Sequence, residues 1–298
     1  MGLEVVPNQA SYITIRELNS EKHYPVSGLC AILKVSKSAY YKWLDRKTPP
    51  NEAFNKELAE KVVEIHQQDE TMGYRRIKDQ LQRQENVKIN DKRILRICRF
   101  FEIRSCIKYR NNGCTISDPD PKHVAENILN RDFSTTAKNQ KWVTDITEFK
   151  YYVNGVKHKV YLSAILDLYG RRIIAQVISD RNDLKLVLDT LRQALRHEPG
   201  AHPILHTDRG FQYTSHAFNK MIKKYGIVHS MSRRGCCPDN GPMEGFWGIL
   251  KRERYYLRSF ESRKSLVKTI RGYIFYYNNK RIQRGLKLKT PMEFAAAA

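Results

Sequence analysis

The stretch from Trp142 to Leu166, WVTDITEFKYYVNGVKHKVYLSAIL, decides the fold class of this chain. Its first half, Trp142 to Val153, is rich in β-branched and aromatic residues, which favour β-strands. Asn154-Gly155 then gives the strongest short signal for a hairpin turn, because both residues accept a positive φ. Val156 to Leu166 has the composition of a second strand. The sequence therefore predicts a domain that begins with an antiparallel hairpin.

Downstream of the hairpin, predicted helices alternate with predicted strands. A third strand, Arg172 to Ser179, follows the turn at Tyr169-Gly170. The further elements are a helix at Leu184 to His197, a strand at Ile204 to His206, a helix at Ser215 to Tyr225, a strand at Ile227 to Ser230 and a helix from about Gly241 to Arg258. This order predicts an α/β domain with a mixed five-stranded sheet. Neither glycine-rich phosphate-binding motif occurs, so a nucleotide cofactor has no sequence support.

Upstream of the hairpin the chain has a helical pattern over residues 22–110. Val26 to Leu33 is a short apolar segment, Lys34-Val35 is a turn, and Ser36 is placed to cap a helix that runs to Trp43. This is the spacing of a helix-turn-helix unit. Three more helices follow, marked by Leu58, Val62 and Ile65, by Tyr74, Ile77 and Leu81, and by Ile94, Leu95 and Ile97.

These patterns divide the chain into four parts. Residues 22–110 are the helical region, and residues 111–141 are a linker with one helix near His123 to Leu129. Residues 142–258 are the α/β core, and residues 259–298 are a basic C-terminal segment. In that segment the aromatic residues have the spacing of core packing, although stacking on bases is an alternative. They are Tyr273, Phe275, Tyr276 and Tyr277.

The net charge of +22, from 53 Lys and Arg against 31 Asp and Glu, indicates a polyanionic partner. Charge alone leaves nucleic acid and an acidic membrane surface open. The excess lies in two places, because residues 71–110 hold 12 basic and 4 acidic side chains and the last 48 residues hold 13 and 3. Two separate basic surfaces fit an extended polyanion. In the helical region the candidates for DNA contact are Arg75, Arg76, Arg93 and Arg96; a solvated helix surface is the alternative.

The composition excludes several classes of protein. Apolar residues make up 41% of the chain and charged residues 28%, which excludes intrinsic disorder and a disulfide-held miniprotein. No apolar stretch approaches the ~20 residues of a bilayer span, and residues 1–10 lack a signal-peptide core. We therefore expect a cytoplasmic protein with no membrane partner. The six cysteines show neither a disulfide framework nor C-x₂-C spacing, so we expect no disulfide and no structural zinc.

Three acidic residues do not fit the basic character of the chain. Asp145 interrupts the apolar first strand, Asp208 follows the strand at Ile204 to His206, and Glu244 falls in the first turn of the last core helix. Carboxylates that converge beside a sheet are hard oxygen ligands for Mg²⁺ or Mn²⁺. Taken singly, Asp208 also suits a turn with the glycine that follows it, and Glu244 also suits a capping box.

The stretches around these carboxylates, and several outside the core, match a known family. The matching residues are Trp142 to Thr147, His206 to Ser215, Ser232 to Gly235, Cys237, Asp239-Asn240, Glu244, Phe246, Leu250-Lys251 and Glu253, with Val35 to Tyr41, Gly73 to Ile77, Tyr277-Asn278, Arg281 and Thr290-Pro291 outside the core. On these residues the chain resembles the transposases of the insertion sequence three family, in particular their second-reading-frame product, which has a retroviral-integrase-type core with a DDE triad. The sequence departs from the family pattern at Pro238, Gly241-Pro242 and Gln283. The resemblance covers residues 24 to 294 and implies an RNase H-like core.

The resemblance also implies the chemistry, which is metal-dependent cleavage and joining of DNA strands. Asp145, Asp208 and Glu244 then hold two Mg²⁺ or Mn²⁺ ions ~3.5–4 Å apart. Water attacks first and frees a 3′-hydroxyl at a transposon end, and this hydroxyl attacks a second phosphodiester.

Further basic residues near the carboxylates are candidates for DNA contact. Lys251 comes two helical turns after Glu244, so we expect it on the same helix face, where an ammonium meets phosphate. An ordinary surface lysine is the alternative. Arg233 and Arg234 lie in the matching Ser232 to Gly235 stretch and are the other two candidates.

The implied partners are the terminal inverted repeats of the element, target DNA, at least one further copy of this chain and the first-reading-frame product. The implied location is the bacterial cytoplasm, at the nucleoid. Two other functions compete with this interpretation. One is a non-catalytic DNA-binding protein derived from a transposase, which would not require the three carboxylates. The other is a nuclease for RNA–DNA hybrids, which would not require the helical region or the basic C-terminus.

Overall fold

The computed structural model describes residues 8–47, 50–107, 124–234 and 236–297. The chain divides into two compact units, Met1–Cys106 and Ile107–Ala298. Among the residues described, no helix combines the length and the apolar character that crossing a bilayer requires.

The first unit consists of helices. They are α1 at Gln9–Lys22, α2 at Val26–Ile32, α3 at Lys37–Leu44, α4 at Pro50–Gln68, α5 at Tyr74–Glu85 and α6 at Asp91–Phe100. The Ser36 hydroxyl accepts a hydrogen bond from the Ala39 N–H at 3.4 Å, which confirms the predicted cap of α3. The sequence did not predict α1, because its only buried residues are Tyr12 and Ile15 and its apolar periodicity is weak.

Helices α4, α5 and α6 share a hydrophobic core of their own. Val62, Ile77, Leu81, Ile94 and Ile97 are fully buried in it. Helix α6 starts at a cap, because the Asn90 side chain accepts from the Lys92 N–H at 2.8 Å. Burial on one side leaves the basic side of α6 at the surface.

The second unit is an α/β domain. Its strands are β1 at Lys141–Val153, β2 at Val156–Asp167, β3 at Arg172–Ser179, β4 at Ile204–Thr207 and β5 at Val228–Met231. Its helices are α7 at Leu184–His197, α8 at His216–Lys224, α9 at Gly241–Leu250, α10 at Arg263–Asn279 and α11 at Pro291–Ala296. Asn154 and Gly155 have φ of 49° and 79°, as the predicted hairpin turn requires.

The sheet has the order β3-β2-β1-β4-β5. Strands β1, β2 and β3 are antiparallel, whereas β4 pairs parallel with β1 and β5 parallel with β4. Helices α9 and α10 cover one face and helices α7 and α8 the other. Adjacent β1 residues contribute to the cores on opposite faces of the sheet, since Val143 packs under α9 and α10 and Trp142 under α7 and α8. This is the mixed five-stranded sheet that the sequence predicts.

The predicted linker differs from what the structure shows. Its first part, residues 111–123, lies outside the described residues, and residues 124–129 form no helix, contrary to the prediction. Their backbone groups bond to β5 instead: the Leu129 N–H donates to Ser230 Oγ at 3.0 Å, and the Met231 N–H donates to the Glu126 oxygen at 3.2 Å. Leu129 is buried, so this segment is part of the core.

The last core helix and the C-terminal segment also differ from the prediction. The α-helix ends at Leu250 rather than near Arg258, and a π-helical turn, Lys251–Tyr255, follows it. Residues 259–297, predicted only as a basic segment, include α10, whose Leu266, Ile270 and Tyr273 are buried against the sheet. Charge was a poor guide here, since the basic residues lie on the outer side of an amphipathic helix.

Candidate catalytic site

Asp145 and Asp208 come from neighbouring parallel strands. The register of β1 and β4 pairs Val143 with His206, so Asp145 and Asp208 follow two residues further along each chain. A step of two keeps a side chain on the same face of a sheet. The two carboxylates therefore lie side by side at the edge where β4 ends.

Glu244 lies in the first turn of α9, and a hydrogen bond ties the start of that helix to β1. The side-chain amide of Asn240 donates to the backbone oxygen of Thr144 at 3.1 Å. Because Thr144 precedes Asp145, this bond brings the helix N-terminus to the acidic pair. The Glu244 side chain is exposed, and its carboxylate has no hydrogen bond or ion pair among the described residues.

Three N–H groups hold the two aspartates. The Ile146 N–H donates to Asp145 Oδ1 at 2.7 Å, and the Trp247 indole N–H donates to Asp145 Oδ2 at 3.0 Å. The Gly210 N–H donates to Asp208 Oδ1 at 2.9 Å. A Cβ at position 210 would lie 3.0 Å from that oxygen, so the close turn after β4 requires glycine.

The site brings three carboxyl groups together with little compensating positive charge. Burial raises the pKa of Asp145 to about 8, and the charges of Asp208 and Glu244 act in the same direction. Burial also raises the pKa of Asp208 and that of Glu244. In the described part of the chain no lysine or arginine forms an ion pair with any of the three. The arrangement favours a cation from outside the protein.

The donor chemistry fits a hard divalent cation, because all three groups are carboxylates. Across residues 8–47, 50–107, 124–234 and 236–297, however, no three His, Cys, Asp or Glu side chains are gathered closely enough to ligate one ion. Asp145 and Asp208 are held by N–H groups. Glu244 is the one of the three whose side chain can turn without breaking a bond.

Lys251 opens the π-helical turn that follows α9. Its ammonium lies 5.3 Å from the centroid of the Phe149 ring. Burial lowers the pKa of Lys251, and the negative charges of Asp145 and Glu148 oppose that shift. Lys251 is therefore half-buried beside the acidic pair.

The other predicted contacts near the site differ in their surroundings. Arg233 donates from Nε and from one Nη to the Asp239 carboxylate, at 2.9 and 2.8 Å, and 48% of its side chain is exposed. Arg234 is exposed. The structure thus gives Arg233 a fixed orientation, which the sequence did not reveal.

Two of the predicted DNA contacts in the helical unit bind within the protein. Arg76 donates to Thr71 Oγ1 at 3.2 Å and lies 3.7 Å from Asp69. The Arg93 guanidinium lies over the Phe54 ring, 5.4 Å from its centroid. Both side chains are only partly accessible.

The other two, Arg75 and Arg96, are exposed, although the Arg75 guanidinium also lies over a ring, that of Tyr74, 5.4 Å from its centroid. A surface cavity of about 700 Å³ at α6 has Arg96 in its wall together with Lys92 and Arg99. The sequence places Lys92 and Arg99 on this basic helix too, but the four candidates for DNA contact did not include them. Their spacing from Arg96, four and three residues, was the available signal, because it puts all three on one helix face.

Near the carboxylates, Trp247 and Asp239 were also missed as functional candidates. Trp247 follows Glu244 by three residues, which is the spacing that places both on one side of α9. Asp239 belongs to the matching family pattern, but nothing in its sequence context shows that its side chain is fully buried.

Comparison with known proteins identifies related families for both units. The integrase core domain family matches residues 135–237 and 244–297, and a helix-turn-helix-like domain family matches residues 53–111. The chain is similar to transposase InsK of insertion sequence element IS150 from Escherichia coli K12, at 36% identity over 276 residues, 91% of this chain and 93% of that protein. It is also similar to transposase InsF of insertion sequence IS3A from the same strain, at 31% identity over 268 residues, 85% of this chain and 88% of that protein.

Among solved structures, the HTLV-2 integrase catalytic core domain in complex with magnesium matches with a TM-score of 0.42. The identity is 21%, over 53% of this chain and 97% of that chain.

Proposed function

Because this chain belongs to the insertion-sequence transposases with an integrase core domain, we propose that it is a metal-dependent DDE transposase that binds the terminal inverted repeats of its element and cleaves and joins DNA strands. The single observation that supports this most is the placement of Asp145, Asp208 and Glu244. The parallel register sets the first two side by side, and the Asn240 bond to β1 brings the start of α9, which carries Glu244, toward them.

In this proposal Asp145, Asp208 and Glu244 hold Mg²⁺ or Mn²⁺, two ions being the number that the family resemblance implies. Bound metal supplies a Lewis acid for the attacked phosphodiester. The protein prepares the site by fixing Asp145 with the Ile146 and Trp247 N–H groups. Glu244 completes the ligand set by turning its unbonded side chain.

Lys251 then acts on the DNA rather than on the metal. Its half-buried ammonium beside the acidic pair is placed to meet the phosphate next to the one that is cut. Strand joining requires two DNA ends to be held together, so we expect at least two copies of this chain in a symmetric complex. The first-reading-frame product is a further candidate partner.

In the helical unit, α6 is the proposed DNA-reading element. It is the second helix of an α5-turn-α6 unit, and such a helix lies in the major groove in helix-turn-helix proteins. Its exposed cations Lys92, Arg96 and Arg99 share one face. Arg75 is the exposed candidate on α5, and Arg76 and Arg93 support the surface through their intramolecular contacts.

The test uses the full chain with labelled duplexes that carry the two ends of its element. With Mg²⁺ we expect a cut that exposes a 3′-hydroxyl at the element's end and then a joined product; neither should form in excess EDTA. A random duplex of equal length should be bound more weakly and left uncut. Binding to end DNA without any metal-dependent cut would identify the chain as the non-catalytic DNA-binding alternative instead.

A further inference from the structure

One carboxylate beside the catalytic site is fully buried and collects five N–H donors. Asp239 has 0% exposure. Its Oδ1 accepts from Arg131 Nε at 2.7 Å and from an Arg233 Nη at 2.8 Å. Its Oδ2 accepts from the Asn127 amide at 3.0 Å, from Arg233 Nε at 2.9 Å and from the Arg233 backbone N–H at 3.0 Å. These donors hold the pKa of Asp239 well below its ordinary value.

The segment that carries Arg131 has an unusual backbone. Asn130 and Arg131 have φ of 43° and 62°, in the left-handed region that disfavours side chains with a Cβ. The Asn127 side chain stabilises this turn by accepting from the Asn130 N–H at 2.9 Å. Such strain persists only where the surrounding contacts over-determine it, and here it turns the Arg131 guanidinium toward Asp239.

Both arginines still face solvent. Their side chains are 47% and 48% exposed, although the carboxylate that orients them is not exposed at all. Arg131 uses only Nε on Asp239, and Arg233 uses Nε and one Nη, so Nη groups of both remain outside this network. Two positive charges share one negative charge, which leaves a local charge of +1. A planar guanidinium held in place is the side chain best suited to bind phosphate.

The cluster of Asp239, Arg131 and Arg233 is tied to the catalytic residues. Asp239 lies in the 3₁₀ turn Cys237–Asn240, which leads directly into α9 and Glu244. Its neighbour Asn240 bonds to the backbone beside Asp145. The cluster is also linked to Asp208. Its neighbour Arg209 donates from Nε to the backbone oxygen of Ser232 at 2.9 Å, and Ser232 precedes Arg233.

We propose that Arg131 and Arg233, oriented by the buried Asp239, form a phosphate clamp that holds the backbone of the DNA strand entering the catalytic site. The inference rests on the proposed function and adds a binding site to it. Asp239 is the positioning residue of this clamp, and the two arginines are its DNA contacts.

A second buried pair in the same unit shows what a purely internal ion pair looks like. The Arg281 side chain is only 13% exposed, and its guanidinium donates from Nε and an Nη to Glu253, whose side chain is 4% exposed. Burial leaves little of that arginine accessible to a ligand. Arg131 and Arg233 bind a buried carboxylate equally well and remain half open, which is the property a clamp needs.

The test compares Arg131→Gln and Arg233→Gln with Arg192→Gln in the full chain. Glutamine keeps an N–H donor near Asp239 and removes the charge. Arg192 is a matched control because its side chain is 54% exposed and is also paired with an aspartate, Asp189. Each clamp variant should bind end DNA about tenfold more weakly and lower the slope of log affinity against log salt by ~0.9. The control should leave both unchanged.

A second measurement identifies the DNA phosphate that the clamp binds, and it still tests the clamp if one of the two variants folds poorly. Single neutral methylphosphonates are placed along the strand near the element's end, and the wild-type chain should lose affinity at one or two of them. At those positions the methylphosphonate should cause no further loss of DNA affinity in the Arg131→Gln or Arg233→Gln chain. Full additivity at every position, or variants that bind like the Arg192→Gln control, would overturn the clamp.

The proposed function is judged separately by the wild-type chain. Metal-dependent cutting of end DNA by the wild type, together with clamp variants that bind normally, rejects only the clamp. If the wild type makes no metal-dependent cut, the proposed function fails, whatever the binding data show.

Discussion

Acidic side chains at the sheet edge under α9 lack a cationic partner among the described residues, whereas those at the two ends of that helix are paired with arginine. At the ends of the helical segment, Asp239 binds two arginines and Glu253 binds Arg281. At the sheet edge, Asp145 and Asp208 accept hydrogen bonds from N–H groups but have no cationic partner among the described residues.

The difference is informative because arginine and lysine are abundant in this chain, whose net charge is +22. Asp239 and Glu253 are each neutralised by arginine, and the pKa of Asp239 is lowered. Asp145 and Asp208, the proposed metal ligands, have no cationic partner among the described residues, and burial raises the pKa of Asp145 to about 8. The presence or absence of an arginine partner therefore distinguishes the proposed metal ligands from Asp239 and Glu253.

The largest expected effect is that of Asp145→Asn on strand cleavage. The change removes a metal-holding charge, so we expect at least about a 10³-fold loss of cleavage rate. DNA affinity should stay within about twofold of the wild type, because no phosphate contact is lost. Gel assays of cleavage and binding on the same labelled duplex measure both.

Mg²⁺ should also raise the melting temperature of the wild type and leave that of Asp145→Asn unchanged, because only a bound ligand stabilises the fold. Asp189→Asn, at an acid on α7 that pairs with Lys185 and Arg192, is the control and should respond like the wild type. Near-native cleavage by Asp145→Asn would remove this residue from the metal site.

Second in size is the effect of Glu253→Gln on stability. It leaves the Arg281 guanidinium buried without its counter-charge, which typically costs about 3–5 kcal/mol. Urea unfolding followed by circular dichroism gives the free energy of unfolding. Lys185→Ala breaks an exposed pair and should cost under about 1 kcal/mol. Equal losses of unfolding free energy in both variants would mean that the Glu253–Arg281 pair does not stabilise the turn that follows α9.

The third prediction concerns pH. Burial lowers the pKa of His206 to about 4, and its ring bonds Ser230 and Ser232 Oγ at 2.9 and 3.0 Å. The unfolded chain takes up this proton near the ordinary pKa of 6.5, whereas the folded chain resists it. Stability from this group is therefore complete above pH 6.5 and is lost as the pH falls from 6.5 to 4, by about 2–3 kcal/mol in total.

Urea midpoints of wild type and His206→Gln between pH 7 and 4 check this, since glutamine has no proton to gain. The variant should be less stable than the wild type at pH 7, and its midpoint should fall less steeply with pH. If the two curves run parallel, the pH dependence arises elsewhere.

The smallest expected effect is that of Trp247→Phe. Phenylalanine keeps the packing of α9 and removes the indole N–H that holds Asp145 Oδ2. We expect about a tenfold lower cleavage rate and a higher Mg²⁺ concentration for half-maximal rate. Trp142→Phe is the control, because its indole N–H bonds Asn139 instead, at 3.2 Å. An unchanged Mg²⁺ requirement in Trp247→Phe would make the indole bond a matter of packing only.

Local signals in the sequence were sufficient for most of the elements. The hairpin turn at Asn154-Gly155 and the bounds of α7, Leu184–His197, are as predicted, and β5 is displaced by one residue. These features depend on residues that are close together in the chain, through φ preferences, capping and periodicity. Helix α1 was missed because it buries only two residues and so carries almost no periodic pattern.

The roles of the charged side chains could not be obtained in the same way. Arg131 and Asn127 bind Asp239 across 108 and 112 residues of sequence, and no local pattern records such a contact. For the same reason α10 was described only as a basic segment. Of its aromatic residues, Tyr273 and Tyr277 are buried as predicted, whereas Phe275 is exposed, contrary to the prediction.

The sequence by itself determined the α/β order of the core, the helical region before it and the choice of Asp145, Asp208 and Glu244 as candidates. Propensity, turn chemistry and the misfit of acids in a basic chain are all properties of short segments. The tertiary structure alone decided which acids have an arginine partner and which arginines face outward. Those outcomes depend on the strand register and on contacts between distant segments, where the gain from pairing two groups outweighs what either segment prefers alone.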